Sequence, residues 1–171
     1  MTFYTSLCVT LLGLSVLAPV ARGGPYSFAA IDVPGGLAGS TWAQGINNAG
    51  QIVGIFQTCP GSCYHGFLDT NGTFTTIDAP GAVGPLGSTY AHGINAAGQI
   101  VGIFGDASGA QHGFLDTNGT FTTIDAPGAD GHMNATFLQG IDTAGQIIGF
   151  VFHYANSTSD SFLDSSPVSS P

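Results

Sequence analysis

The chain consists largely of a repeated sequence. The segment FTTIDAPGA occupies residues 74–82 and recurs unchanged at residues 121–129, and a degenerate copy, FAAIDVPGG, lies at residues 28–36. Two other segments recur in the same order. The first contains GIN or GID followed by GQIVG or GQIIG, and the second contains FLD. The spacing is about 47 residues, and a period of this length predicts a supersecondary unit that buries its apolar face only by stacking on its neighbours.

Each repeat contains four short segments rich in Ile, Val, Phe and Thr and bounded by Gly, Asn, Pro and Asp, which is typical of β-strands. These segments are FTTID, the stretch around Trp42, QIVGIF and HGFLD. We therefore predict an all-β fold of three four-stranded antiparallel repeats in one domain. The predicted boundaries are 24–165 for the domain, 28–73, 74–120 and 121–165 for the repeats, and 166–171 for a C-terminal tail.

Glycine and asparagine predict the turns of this fold. Asn71-Gly72 and Asn118-Gly119 lie between FLD and FTTID, a strong signal for a tight β-hairpin. A glycine also recurs inside the QIVGIF strand, where it indicates a bulge or the close approach of another backbone. Its copies are Gly54, Gly102 and Gly149.

Apolar residues at equivalent positions of the repeats predict the core. We expect nine of them to face inward: Ile31, Ile77, Ile124, Ile46, Ile94, Ile141, Phe67, Phe114 and Phe162. The aromatic residues Trp42, Tyr90 and Phe137 share one repeat position and are interpreted as core side chains, with sugar stacking as the alternative.

The first 23 residues and the cysteines predict export. An apolar run at residues 11–17 is followed by small residues that suit a signal-peptide cleavage site; the alternative is a retained apolar arm. Cys59 and Cys63 share a short Pro-Gly loop, which favours a local disulfide over a zinc half-site or a redox pair. We therefore expect a secreted or cell-surface protein whose mature chain has no transmembrane span.

The charge balance argues against several partners. All ten acidic residues are Asp, Arg22 is the only basic residue, and the formal net charge is −9. Without Lys or Arg, a mature chain has nothing to neutralise phosphates, so nucleic acid and anionic membrane surfaces are not expected partners.

These residues resemble a bacterial repeat family, the HAF-type "probable extracellular repeat". The resemblance rests on residues 45–47, 50–54 and 65–68 of the first repeat and on residues 93–95, 98–102 and 112–115 of the second. It implies an extracellular, propeller-like β protein without established catalytic residues. Three blades are too few for an ordinary propeller, so closure by another chain, β-trefoil-like pseudo-threefold packing and a fragment of a longer protein all remain open.

The sequence predicts no catalytic site and no metal site, so we expect a protein that is not an enzyme. His65 and His112 follow the repeat, which indicates a structural role, and no Gly-x-Ser-x-Gly nucleophile motif is present. No cofactor is expected; calcium is the alternative, because Asp is abundant. Four Asn-x-Ser/Thr sequons predict glycosylation, at Asn71, Asn118, Asn134 and Asn156.

The chain ends suggest how the protein acts. Each FLD segment turns into the next FTTID segment, but residues 28–32 have no FLD before them and residues 162–164 have no FTTID after them. We expect Phe28 and Ile31 to pair with Phe162 and Leu163, within one chain or between chains. The predicted function is an extracellular structural or scaffolding protein that self-associates, into filaments where the pairing joins chains. A cell-surface carbohydrate-binding module is the alternative, with glycans as its partners.

Overall fold

A computed structural model describes residues 27–82 and 87–165, and this part of the chain contains eleven β-strands and no helix. The strands form three antiparallel sheets that do not close into a barrel. The first sheet contains β1 (Thr41–Ile46), β2 (Ile52–Cys59), β3 (Ser62–Thr70) and β4 (Thr73–Ile77). The second contains β5 (Ser88–Ile94), β6 (Ile100–Gly105), β7 (Gln111–Thr117) and β8 (Thr120–Ile124). The third contains only β9 (Asn134–Ile141), β10 (Ile147–His153) and β11 (Thr158–Asp164).

The chain divides into two units, residues 1–31 and 32–171. Of the first unit only residues 27–31 are described, and they form no strand. The predicted signal segment and the C-terminal tail lie outside the described residues. No helix in the described part of the chain is long and apolar enough to cross a membrane.

The all-β prediction is confirmed, with one strand fewer than expected. The predicted strand at residues 28–32 is wrong, because residues 27–33 have no regular structure. Its sequence has Ala29 and Ala30 where the other copies have two β-favouring threonines, and residues 1–27 contain no FLD sequence that could form a hairpin with it. Propeller or trefoil packing stays a prediction.

The sheets are offset from the sequence repeats. The FTTID segment that begins the second repeat is β4, and it completes the first sheet by pairing with β3. In the same way β8 completes the second sheet. The connecting turns are those predicted, since Asn71 and Asn118 adopt φ of 54° and 53°, and the glycine after each adopts 84°.

Successive sheets pack through the first strand of the later sheet. β5 contacts β1, β2 and β3, and β9 contacts β5, β6 and β7. Two hydrophobic clusters fill these contacts, the first around Val53, Ala91 and Ile94 and the second around Val101 and Leu138.

Burial confirms four of the nine predicted core residues and overturns one. Ile77, Ile94, Phe67 and Phe114 are buried. Ile46 is 68% exposed, because in the described part of the chain no sheet precedes the first one to cover it. The remaining four are partly buried: Ile31, Ile124, Ile141 and Phe162. Trp42, expected in the core, is 43% exposed, whereas Tyr90 and Phe137 are partly buried.

The glycine that recurs in the QIVGIF segment is explained, as expected, by the close approach of neighbouring strands. A Cβ at Gly54 would lie 2.7 Å from the Phe67 ring, and one at Gly102 would lie 2.9 Å from Phe114. In both cases the carbonyl of the neighbouring first strand also approaches from the other side. Only glycine therefore fits between the two adjacent strands.

Candidate functional site

The third sheet ends at a strand edge that a fourth strand covers in the first and second sheets. β3 pairs with β2 on one side and β4 on the other, and β7 pairs with β6 and β8. β11 occupies the equivalent position but pairs with β10 alone among the described strands. An exposed strand edge presents unpaired backbone groups that can bind another strand, so the outer edge of β11 is the first candidate site.

A groove lies beside this edge. Its cavity is about 530 Å³ and is formed by β10, β11 and the turn after β8. The apolar lining includes Ile124, Val151 and Phe162. Val151 stands where the first two sheets have the larger Phe56 and Phe104, which leaves room in the third sheet.

Phe162 shows what the missing strand would cover. Its equivalents Phe67 and Phe114 are 0% and 1% exposed, and each contacts a phenylalanine of the fourth strand, with ring centroids 5.8 Å and 5.6 Å apart. Phe162 has no such strand beside it and is only partly buried. Leu163, on the other face of β11, is 59% exposed. Both predicted pairing residues of β11 are therefore accessible.

A second recurring feature is a His–Asp clasp that sequence analysis missed. His65 Nδ1 lies 2.8 Å from Asp78 Oδ1, and His112 Nδ1 lies 2.8 Å from Asp125 Oδ2. Each histidine is on the third strand of its sheet, and each aspartate follows the fourth strand. The clasp therefore ties the turn after the fourth strand to the sheet. The identical spacing of His and Asp in two repeats was the available signal.

A third group extends each clasp. Thr58 Oγ1 lies 3.2 Å from His65 Nε2, which gives the order hydroxyl, imidazole, carboxylate. In the second sheet Asp106 replaces the threonine, 3.8 Å from His112 Nε2. Hydrogen bonding by Ser108 holds the pKa of Asp106 below its usual value. Because the clasp forms with or without a hydroxyl, its recurring element is the His–Asp contact.

In the third sheet the His–Asp contact joins the second and third strands. Asp160 takes the position of the two histidines, and His153 on β10 contacts it at 3.0 Å. The other nitrogen of His153, Nδ1, donates to Asn134 Oδ1 at 2.6 Å. His153 stands where the second sheet has Asp106, so this contact corresponds to that between Asp106 and His112 with the two residue types exchanged.

His92 supports a junction between sheets. It lies at a bulge in β5, and its Nδ1–H donates to the carbonyl of Leu138 in β9 over 2.8 Å. Burial lowers the pKa of His92, which favours the neutral imidazole. The interpretation of this histidine as structural agrees with a hydrogen bond to a neighbouring strand.

Three aromatic rings form an accessible row. Trp42 and Tyr64 have ring centroids 6.4 Å apart, and Tyr64 and Tyr90 have centroids 5.2 Å apart. A shallow cavity of about 360 Å³ is lined by Tyr64 and Tyr90 of this row and by Gln111. Burial raises the pKa of Tyr90. Such a row can stack on flat apolar faces of a ligand.

The predicted disulfide is confirmed, with the Cα atoms of Cys59 and Cys63 5.5 Å apart. It closes the β2–β3 hairpin and is compatible with export. Three sequon asparagines, Asn71, Asn118 and Asn156, are exposed, whereas Asn134 is partly buried. Glycosylation stays a prediction, as does the expectation of no cofactor with calcium as its alternative; in the described residues no three His, Cys or Asp side chains form a group that could hold a metal ion.

Comparisons with protein-family models, with curated proteins and with solved structures find no match. The resemblance to the HAF-type repeat therefore stays a prediction.

Proposed function

We propose that the protein is a non-enzymatic, extracellular structural protein that self-associates by pairing its terminal strands. One observation carries this proposal: among the described residues the third sheet has three strands, and residues 28–32, a copy of the fourth-strand sequence, belong to no sheet. Proteins cover or use such edges.

The register of the complete sheets specifies how the segment would pair. Phe74 lies opposite Asp69, and Ile77 lies opposite Gly66. Transferred to the third sheet, this register places Phe28 on the groove side, next to Phe162, as Phe74 lies next to Phe67. It places Ile31 on the opposite side, together with Leu163. The four residues predicted to pair thus form two apolar contacts, one on each face of the sheet.

Pairing between chains would give a head-to-tail assembly. Such contacts generate a closed ring where the rotation between copies closes, and a filament where it does not. Addition of a strand to a sheet edge supplies main-chain hydrogen bonds, and its alternate side chains supply specificity.

Deletion of residues 24–31 tests the proposal. It removes the free segment but keeps Val33, which is buried and donates its backbone N–H to Thr41. We expect smaller particles in sedimentation velocity or a lower melting temperature. The double substitution Phe28→Ser with Ile31→Ser should act similarly without shortening the chain.

Leu37→Ser is the matched control, because Leu37 is also an exposed apolar side chain but lies outside the segment. It should change neither particle size nor melting temperature. Strand pairing is wrong, within and between chains, when the deletion leaves both quantities at their wild-type values.

A carbohydrate-binding module is the second candidate, and the row of Trp42, Tyr64 and Tyr90 favours it. Trp42 is the only tryptophan and is 43% exposed, so its fluorescence would report a stacked sugar directly. Titration with soluble oligosaccharides should quench or shift this emission, and Tyr64→Ala should weaken binding. Unchanged emission across a panel of neutral and acidic oligosaccharides would contradict this function.

A further inference from the structure

The chain contains the same sheet-to-sheet junction twice. In the first junction Val53 and Leu68, which are paired across β2 and β3, pack against Ala91 and Ile94 of β5. In the second, their equivalents on β6 and β7 pack against the equivalent positions of β9. Those residues are Val101 and Leu115 on one side and Leu138 and Ile141 on the other.

Each end of the row of sheets exposes one half of this junction. On the third sheet Ile148 is 54% exposed, although its equivalents Val53 and Val101 are fully buried. Leu163 is 59% exposed, although its equivalent Leu115 is buried and Leu68 is partly buried. On the first sheet Ala43 and Ile46 are exposed, although Ala91 and Ile94 are buried. The two free faces are therefore the two complementary halves of an interface that the protein already forms.

Glycines allow the first strands of successive sheets to approach each other closely at these junctions. A Cβ at Gly45 would lie 2.7 Å from the carbonyl oxygen of His92, and one at Gly93 would lie 2.9 Å from the Cα of Gly140. At Gly140 itself, a Cβ would meet only the exposed side chain of Ile148, at 3.3 Å. A cavity of about 370 Å³ lies in front of Gly140, Ile148 and Leu163, where the next sheet would be.

We infer that a second copy of this chain covers both faces, with the first sheet of each copy packed on the third sheet of the other. This inference rests on the proposed self-association. It assigns the contact to the faces of the first and third sheets rather than to residues 28–32. The occupant is a second copy because each face repeats one side of an existing junction.

Two copies give a closed ring with two identical junctions. Extensive contacts join the first strands of successive sheets, β1 to β5 and β5 to β9, but not the fourth strands β4 and β8, so the sheets fan out from their first strands. Closed arrangements of this kind contain about four to eight sheets. One chain provides three and two chains provide six, whereas a third chain would exceed that range.

One hydrogen bond distinguishes the new junction from the internal ones. Asn47 Nδ2 donates to the carbonyl of Asn95, and Asn95 Nδ2 donates to the carbonyl of Asp142, each over 3.0 Å. Asp142 occupies the third position, and its side chain has no amide N–H to donate to the backbone carbonyl of Asn47 in the next copy. The junction between copies is thus weaker by this bond, and Asp142→Asn should tighten the pair.

Gly140→Ala is the decisive variant. Its added methyl group touches only Ile148 in a single chain but would collide with the backbone of the second copy. We expect the wild type to sediment as a pair, and Gly140→Ala to sediment as a single chain with an unchanged far-ultraviolet circular dichroism spectrum. Met133→Gln removes an apolar side chain that is 51% exposed outside both faces, and should leave the pair intact.

A mixing experiment tests the head-to-tail orientation. Ile46→Lys and Ile148→Asp each place a charge on one face, and each variant alone should sediment as a single chain. Mixed together, they should form a hetero-pair with one Lys–Asp junction and one wild-type junction. Mixtures that stay as single chains would overturn the orientation, because only a head-to-tail pair restores both junctions.

The outcomes separate this inference from the proposed strand pairing. A pair that survives deletion of residues 24–31 with an unchanged melting temperature, but is broken by Gly140→Ala, supports the face contact and contradicts the strand pairing. A pair broken by the deletion but not by Gly140→Ala overturns the inference. Wild-type particles that are single chains throughout a dilution series, or larger than two chains, also overturn it.

Discussion

Replacing Phe114 by Ala probes the packing that makes each sheet part of a common core. Phe114 is 1% exposed, its ring lies 5.6 Å from that of Phe121, and it fills the space above Gly102. Removing a fully buried phenylalanine side chain loses both its transfer free energy and the contacts around the resulting cavity. The free energy of unfolding should fall by about 3–5 kcal/mol.

Phe162→Ala is the matched comparison, because it removes the same side chain at the equivalent position of the third sheet. Phe162 is only partly buried and lacks the neighbouring phenylalanine of a fourth strand. Full burial of such a side chain contributes about 1.5–3 kcal/mol, so partial burial predicts a loss of about 1 kcal/mol. The difference between the two variants measures the contribution of the fourth strand.

Urea titration followed by fluorescence gives both values, provided that the slope with denaturant is unchanged among the variants. The measurements belong in the background that lacks residues 24–31, so that no free segment can cover β11. A loss below about 1 kcal/mol for Phe114→Ala would show that its ring does not lie in a core. Equal losses for the two variants would refute the argument that the missing strand leaves Phe162 uncovered.

Three further predictions concern local features. Gly102→Ala should lower the free energy of unfolding by about 1–3 kcal/mol in denaturant titration, because its methyl group would overlap the Phe114 ring; a neutral effect would contradict the close approach. Reduction of Cys59–Cys63 should add two hydrogens to the intact mass and lower the unfolding free energy by about 2 kcal/mol; two free thiols in the native protein would exclude the bond. Because burial lowers the pKa of His92, the unfolded state binds this proton more readily, so stability should fall as the pH drops below about 6.5. His92→Gln, which installs the residue found at positions 44 and 139, should reduce that fall, and an identical pH profile would show that His92 does not contribute.

The local features were predictable because their causes are local. The Asn-Gly turns depend on two residues that tolerate positive φ, and the pairing of FLD with the following FTTID needs only that turn. The disulfide follows from two cysteines in one short loop. The interior glycine was recognised because it weakens a strand and therefore requires a reason.

The features that sequence reasoning missed depend on which sheet lies next to a residue, and residues at the same repeat position can differ in this. Ile46 and Ile94 occupy the same repeat position, yet only Ile94 has a preceding sheet to cover it. Tyr90 contacts Tyr64 of the preceding sheet, whereas Trp42 lies in the first described sheet and is exposed. The contact between His65 and Asp78 joins two strands through a turn, so neither residue indicates it alone.

The offset between sequence repeats and sheets has a consequence for how such a chain can change its length. The second and third repeats each contribute the last strand of one sheet and the first three strands of the next. If residues 74–120 were excised, the Asn71-Gly72 turn would lead directly into residues 121–125, which carry the same FTTID sequence. The hairpin would form across the new joint as it did before, and insertion of an additional repeat would preserve it equally. The chain can therefore lose or gain one sheet at a time, by deletion or insertion of one repeat, without needing a new turn sequence.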